Sequence, residues 1–419
     1  MIASAVCLVA LLASDVVTPK PARRELERVN HHRAANQRTP APEPGQETAP
    51  IPSLLVSSDG RRVRNARDWY GKRRPELVAL WTRILGKLEP SPEDRPWFGD
   101  VTAAVIHDRQ ERDGYTRIDL GIPLEKDFHQ EHLLLLPRGQ GSGPFPAVIA
   151  WSSSTPSWQE PERWWGEYLA SNGYVVLASW SFIRHYRNDT RGRTGAPDLL
   201  YERFGHWLPL AKMVYDVRRE AEFLRRRPEV DAQRIGFIGF SLGAKAAVYV
   251  GAFAPEMQAV VALDPHIAIN GGTNWFDPWY LDWRRRFDDI RTPDYPVAEL
   301  RGTVQSLLNP DVARPGFERD HHELVAMAAP RPFLLIGGSR SEDAGGDSDD
   351  LQSWGYFNRA KEVYKMLGHA DRLQFASTAD GHRANGPAID AAWKSFFRRW
   401  LKEMPISFGG WQGKYGPRP

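Results

Sequence analysis

The chain has 419 residues, 42% of them hydrophobic and 26% charged, with a formal net charge of +3. That length allows one large α/β domain with extra segments, or two small ones. The small charge and the lack of a basic run interleaved with aromatics argue against nucleic acid as a partner. The single cysteine, Cys7, excludes an intrachain disulfide and a cysteine-rich zinc site.

The chain opens on an apolar run from Ile2 to Ala13. It is too short to span a bilayer and has the length of a signal-peptide core, although no Lys or Arg precedes it. Residues 1–14 therefore read as a signal peptide, which implies a secreted or periplasmic protein, or a cytoplasmic one if the segment is not cleaved. No stable membrane insertion is expected. Residues 15–60 are rich in Pro, Arg, Glu and Thr and read as a disordered linker, with His31 and His32 solvated.

From Trp69 the pattern changes. Leu77, Leu80, Trp81, Ile84 and Leu85 recur at helical spacing, and Gly86 can end the helix. Strand-like runs near 101–107, 115–120 and 131–136 suggest an antiparallel entry to a sheet. Strands at 146–152, 174–179, 235–240, 259–263, 333–337 and 373–376 then alternate with helices near 160–172, 206–227, 242–253, 352–367 and 387–402. Such alternation predicts an α/β fold, a mostly parallel central sheet flanked by helices. The stretch 265–320, rich in Trp, Asp, Arg and Pro, reads as a lid-like insertion. The folded domain is expected over 65–403, with a C-terminal tail at 404–419.

The segment Gly239-Phe240-Ser241-Leu242-Gly243 has the form G-x-S-x-G between a strand and a helix. A serine on so sharp a turn has strained backbone angles, and small residues two positions away let the turn close. Ser241 is the candidate nucleophile. The N–H of Leu242 is one candidate oxyanion donor; the other belongs to the turn after the 146–151 strand, where Ser152 and Ser153 stand. A hydrolytic serine needs a base. Among twelve histidines, His382 in Asp380-Gly381-His382 follows a late strand and precedes the last helix. The order serine, acid, histidine places the acid between them. Asp343 is the first candidate, with Glu342, Asp347 and Asp264 as alternatives. Acidic residues of the 342–350 cluster not used in catalysis read as a solvated or calcium-binding loop.

These residues identify the chain as similar to the α/β-hydrolase superfamily over roughly residues 65–403. More narrowly it resembles dienelactone-hydrolase-like and acetyl-xylan-esterase-like proteins, and glucuronoyl esterases. Lys245, four residues past the serine, carries part of the likeness. So do the run Asp320-His321-His322-Glu323-Leu324 leading to Ala329-Pro330-Arg331-Pro332, and Ser341-Glu342-Asp343 with Trp354 downstream. Glucuronoyl esterases of this pattern carry an arginine directly after the nucleophile, where this chain has Leu242. The resemblance implies a serine carboxylic ester hydrolase that needs no cofactor or metal and acts on a small-molecule or polysaccharide ester. Acetylated xylan is the leading expectation. Glucuronoyl esters, a peptidase of prolyl-oligopeptidase type and a non-catalytic carbohydrate-binding protein are the alternatives. Lys245, Trp275 and Trp279, with Trp283 nearby, are candidate substrate contacts, the tryptophans as platforms for sugar rings. Packing in the core, or for Lys245 a place on the helix surface, is the competing reading of each. His322 is expected to be structural.

Overall fold

The computed structural model describes residues 51–403, apart from 87, 90–96, 154–156, 158, 187–198, 201–202, 205–206, 268–319, 339–348, 350 and 379. The segments expected to be a signal peptide and a C-terminal tail, and nearly all of the expected lid-like insertion, fall outside the described residues. Residues 51–60, expected in the linker, instead pack on the domain. Leu54 is fully buried, Val56 bridges antiparallel to Arg62, and the Leu54 carbonyl accepts from Arg73 Nε at 3.3 Å. The apolar group Ile51, Leu54 and Leu55 drives this contact against the core.

The sheet comprises β1 Val105–Arg112, β2 Tyr115–Glu125, β3 Phe128–Pro137, β4 Phe145–Trp151, β5 Val175–Ser179, β6 Val230–Phe240, β7 Ala259–Leu263, β8 Phe333–Gly338 and β9 Leu373–Thr378. The first strand begins later than the sequence suggests, because Asp100 accepts the N–H of Thr102 and caps a tight turn at Val101–Ala103. The strand order is β1-β2-β3-β5-β4-β6-β7-β8-β9. β1, β2, β3 and β5 pair antiparallel in succession, and every pairing from β5 through β4 to β9 is parallel.

Among the described residues, the α-helices of four or more residues are α1 Arg74–Leu85, α2 Glu167–Ser171, α3 Phe182–His185, α4 Pro209–Arg225, α5 Leu242–Phe253, α6 His322–Met327, α7 Leu351–Met366 and α8 Pro387–Phe397. One apolar cluster gathers α1, α4, α5, α6 and α7, and a second gathers α2 and α8. With both faces covered, β5, β7 and β8 are buried along their whole length, so they read as continuous apolar runs. No helix among the described residues is long and apolar enough to cross a membrane. The strand order reverses between β4 and β6. In a sheet of this kind the crevice beyond the carboxyl ends at such a point is where ligands bind.

Under that crevice the core is polar. Lys212, Asp216 and Glu220 of α4 are fully buried. Lys212 donates to Asp216 and, at 3.0 Å, to Glu125, which also accepts from the Tyr186 hydroxyl at 2.6 Å and Arg203 at 2.9 Å. Glu220 meets Nε2 of His132 at 2.9 Å. Nδ1 of His132 lies 2.7 Å from the Gln130 carbonyl, an acceptor, so that nitrogen carries a hydrogen and the His132–Glu220 contact shares one further proton.

Burial pushes the Asp216 carboxyl up to about 7, against the pull of Lys212. The folded chain then keeps a proton that the unfolded chain releases near the ordinary carboxylate value. The stability this adds is complete below that value and is lost as pH rises through about 7. Asp216→Asn stays neutral throughout. Its thermal midpoint relative to wild type should therefore climb by several degrees between about pH 5 and pH 8. A difference that does not vary with pH contradicts the assignment.

Candidate active site

β6 ends in a turn that few sequences can make. Ser241 has φ 54° and ψ −108°, a conformation costing about 1–3 kcal/mol for a residue with a side chain. Its N–H donates to the Leu263 carbonyl at 3.0 Å, and its own carbonyl accepts from Lys245 at 2.9 Å, the start of α5. A Cβ on Gly239 would lie 2.2 Å from the carbonyl oxygen of Gly243. One on Gly243 would lie 2.6 Å from the carbonyl oxygen of Trp151. The spacing in G-x-S-x-G thus answers two separate contacts: one closes the turn on itself, and the other seats it against the end of β4.

That end of β4 is anchored from below. The Trp151 indole N–H donates to Glu220 at 2.9 Å, and its ring packs edge-on to Phe237 at 5.8 Å. The Ser152 N–H donates to the Ser179 carbonyl at 2.9 Å, continuing the β4–β5 ladder. This overturns Ser152 as a backbone oxyanion donor, because its N–H is committed within the sheet. Leu242 opens α5, where N–H groups lack intrahelical acceptors. The helix's positive end therefore lies at Ser241.

His382 is 30% exposed at its side chain, and its Nδ1 is hydrogen-bonded to Oδ2 of Asp264, which is buried. The carboxylate is an acceptor, so Nδ1 carries the hydrogen and Nε2 is left as the basic nitrogen. The residue that meets His382 is therefore Asp264, the alternative placed directly after β7. Asp343, Glu342 and Asp347 lie outside the described residues. Burial raises the Asp264 carboxyl above the ordinary range, while the His382 imidazole and the N–H of Asp349 pull it down.

The turn at Asp264 is strained, and a second buried carboxylate holds it. Asp264 and His266 both have positive φ, 59° and 60°. Asp349 accepts the N–H of His266 and, at 2.9 Å, that of Ile267, and also accepts from the Ser353 hydroxyl. Its own N–H donates to Oδ1 of Asp264 at 2.6 Å. Asp349 reaches this position by lying on Gly337, where a Cβ would fall 1.6 Å from its carbonyl oxygen. Gly338 lies as tightly against Gly381, one residue before His382, with a Cβ 2.5 Å from its Cα. The glycine pair that closes β8 thus allows both the acid's support and the histidine loop to approach. In the sequence this pair reads as the end of a strand, and neither it nor Asp349 or Glu220 stands out as part of the site. Its only sequence signal was two adjacent glycines at a strand's carboxyl end.

Lys245 is not a surface cation. It is buried, and its Nζ donates to the Pro265 carbonyl at 3.0 Å, within the same acid turn. His322 is fully buried with its ring 6.0 Å from Tyr356, and burial pushes its imidazole down to about 4, in keeping with a structural role. Trp354 is 46% exposed and stacks on Phe357. Trp275, Trp279 and Trp283 lie outside the described residues.

The glycine contacts give a direct test. Gly243→Ala must push the elbow away from the end of β4, so kcat should fall by about 100-fold or more, the scale of losing one oxyanion donor. Gly71→Ala meets nothing within 4 Å and should leave turnover unchanged. Equal activity of the two variants contradicts the packing account.

The family model described as glucuronyl esterase, fungi, matches residues 125–368. A 4-O-methyl-glucuronoyl methylesterase 1 of Wolfiporia cocos is 23% identical over 376 residues, covering 87% of this chain and 83% of its own. A 4-O-methyl-glucuronoyl methylesterase of Cerrena unicolor is 24% identical over 385 residues, covering 86% of this chain and 71% of its own. A glucuronoyl esterase structure from Solibacter usitatus superposes with a TM-score of 0.60 at 18% identity, covering 83% of this chain and 97% of that one, a likeness of fold. The expected α/β-hydrolase fold is thereby met. With the family match spanning more than half of its length, this chain belongs to the glucuronyl esterase family, within the serine carbohydrate esterases, and is a carboxylic ester hydrolase.

Proposed function

We propose that the chain hydrolyses esters of a glucuronic acid carboxylate, with Ser241 as nucleophile, His382 as base and Asp264 as the acid that orients it. The observation that carries this reading is the match over residues 125–368, which contains Ser241 and Asp264, together with the Asp264–His382 contact. The sequence favoured acetylated xylan. Both curated relatives carry glucuronoyl methylesterase names, and neither supports an acetyl substrate. The folded domain is proposed to run over 51–403, and the apolar Ile2–Ala13 run supports export, which suits a polysaccharide ester.

In this reading the sugar lies on the acyl side. His382 Nε2 takes the proton as Ser241 Oγ attacks the carbonyl carbon, and the oxyanion faces the Leu242 N–H at the head of α5. The tetrahedral intermediate expels the alcohol, which leaves with the proton from His382. Water, deprotonated by the same nitrogen, then attacks the acyl-serine and releases the free uronic acid. Ser153, next along from the committed Ser152, is the proposed source of a second donor. Leu242 stands where related enzymes have arginine, so a cationic contact to the sugar falls to Lys245.

Benzyl glucuronate should be hydrolysed with a kcat/KM roughly tenfold or more above that for p-nitrophenyl acetate. Ser241→Ala should abolish both activities. Acetate release from acetylated xylan without turnover of the glucuronate ester would contradict the proposal. Asp264→Asn should lower kcat by about 10^3–10^4-fold through loss of the imidazole's orientation, whereas Asp343→Asn should change it by less than about twofold. The reverse ranking returns the acid to the 342–347 segment.

A further inference from the structure

Beside the Asp264–His382 pair stands a third ligand-type side chain that the proposed mechanism does not use. His266 is buried, its backbone is held at positive φ, and its ring centroid lies 5.4 Å from that of His382. Asp264, His266 and His382 each present a ligand atom, and these atoms all lie within 4.8 Å of one another.

We propose that these three residues form a binding site for a borderline divalent transition-metal ion, zinc being the reference case, and that its occupancy arrests the esterase. Two imidazoles and one carboxylate are the donor set of a three-ligand zinc site with an open fourth position. Tetrahedral zinc places its ligand atoms about 3.3 Å apart, so the three need a small closure. His382, the partly exposed member, can supply it by side-chain rotation and also marks the entry path.

The surroundings suit a dication. Asp264 and Asp349 are two buried carboxylates whose charges oppose one another. The Asp349 N–H on Oδ1 of Asp264 fixes the ligating carboxylate from behind, as outer partners do in built metal sites. Its carboxylate on the His266 N–H fixes the backbone that carries the second ligand. Magnesium and calcium, which take oxygen ligands, do not match two imidazoles.

The ion takes the place of the hydrogen between His382 Nδ1 and Asp264, and that proton passes through solvent to Nε2, where it occupies the lone pair that would act as base. His382 can then no longer take a proton from Ser241. The arrest rests on the proposed roles of Asp264 and His382; metal uptake does not.

The two parts are tested separately. Isothermal titration of zinc into Ser241→Ala protein reads binding with no turnover involved. One site is expected, weakened by about tenfold or more when His266→Asn is added. Asn tolerates positive φ, and a matching melting temperature confirms that the second variant is folded. In the wild type, hydrolysis of p-nitrophenyl acetate should fall on zinc addition, recover on EDTA and ignore magnesium. The wild-type rate is normalised to its metal-free value. No uptake by Ser241→Ala protein, or equal affinity with and without His266, overturns the site. Uptake that leaves the wild-type rate unchanged overturns the arrest. Failure of wild-type protein to hydrolyse any ester would refute the esterase reading while leaving the titration result intact.

Discussion

The hydrogen bond between Asp264 and His382 joins positions 118 residues apart, and much of the surrounding structure exists to hold its acid end. A carboxylate directly after a five-residue strand has little to fix it. Here it is fixed from three sides. Asp349 donates to it and ties down the next two peptides, Lys245 ties down the Pro265 carbonyl, and the Asp264 N–H is bonded to Ile336 of the neighbouring strand at 2.7 Å. Each restraint crosses between elements, so the acid turn depends on β6 through β8 being in register.

The other half of the site obeys the same physics with backbone in place of side chains. At the carboxyl edge of the sheet, backbone must approach backbone more closely than a Cβ allows. Gly239 and Gly243 permit it at the elbow, Gly337 at the Asp349 crossing, and Gly338 at the histidine loop. Strain at Ser241, Asp264 and His266 is the counterpart, and the buried hydrogen bonds of Asp349 and Glu220 offset it. Glu220 belongs to this scheme although it lies under the sheet. By holding the Trp151 indole it sets the end of β4, against which Gly243 seats the Ser241 turn.

How much of this was legible follows from the same arguments. The strands β4, β5, β7 and β8 were readable because burial on both faces demands continuous apolar runs. Ser241 was readable because its strain imposes small residues at fixed spacing, a local constraint that leaves a local pattern. His382 was readable from its glycine loop and its place in the chain. The partner of His382 was not singled out, because a lone Asp264 after a strand is quieter than the acidic crowd at 342–350. The described member of that crowd, Asp349, proves to be a support for Asp264, so the cluster's signal was real but its meaning depended on a contact 85 residues away. The charges of α4 were hidden for a related reason: Lys212, Asp216 and Glu220 are acceptable in a core only because Glu125, His132 and Trp151 come to meet them.

The central claim is that Ser241 is a nucleophile made competent by His382 and Asp264 acting together. The most direct measurement is covalent labelling with a fluorophosphonate, followed by peptide mass mapping and rate measurement in wild type, His382→Ala and Asp264→Asn. The account predicts a single adduct on Ser241, formed quickly in wild type and severely slowed in both variants. Labelling at another residue, or an Asp264→Asn protein that labels as fast as wild type, would contradict it.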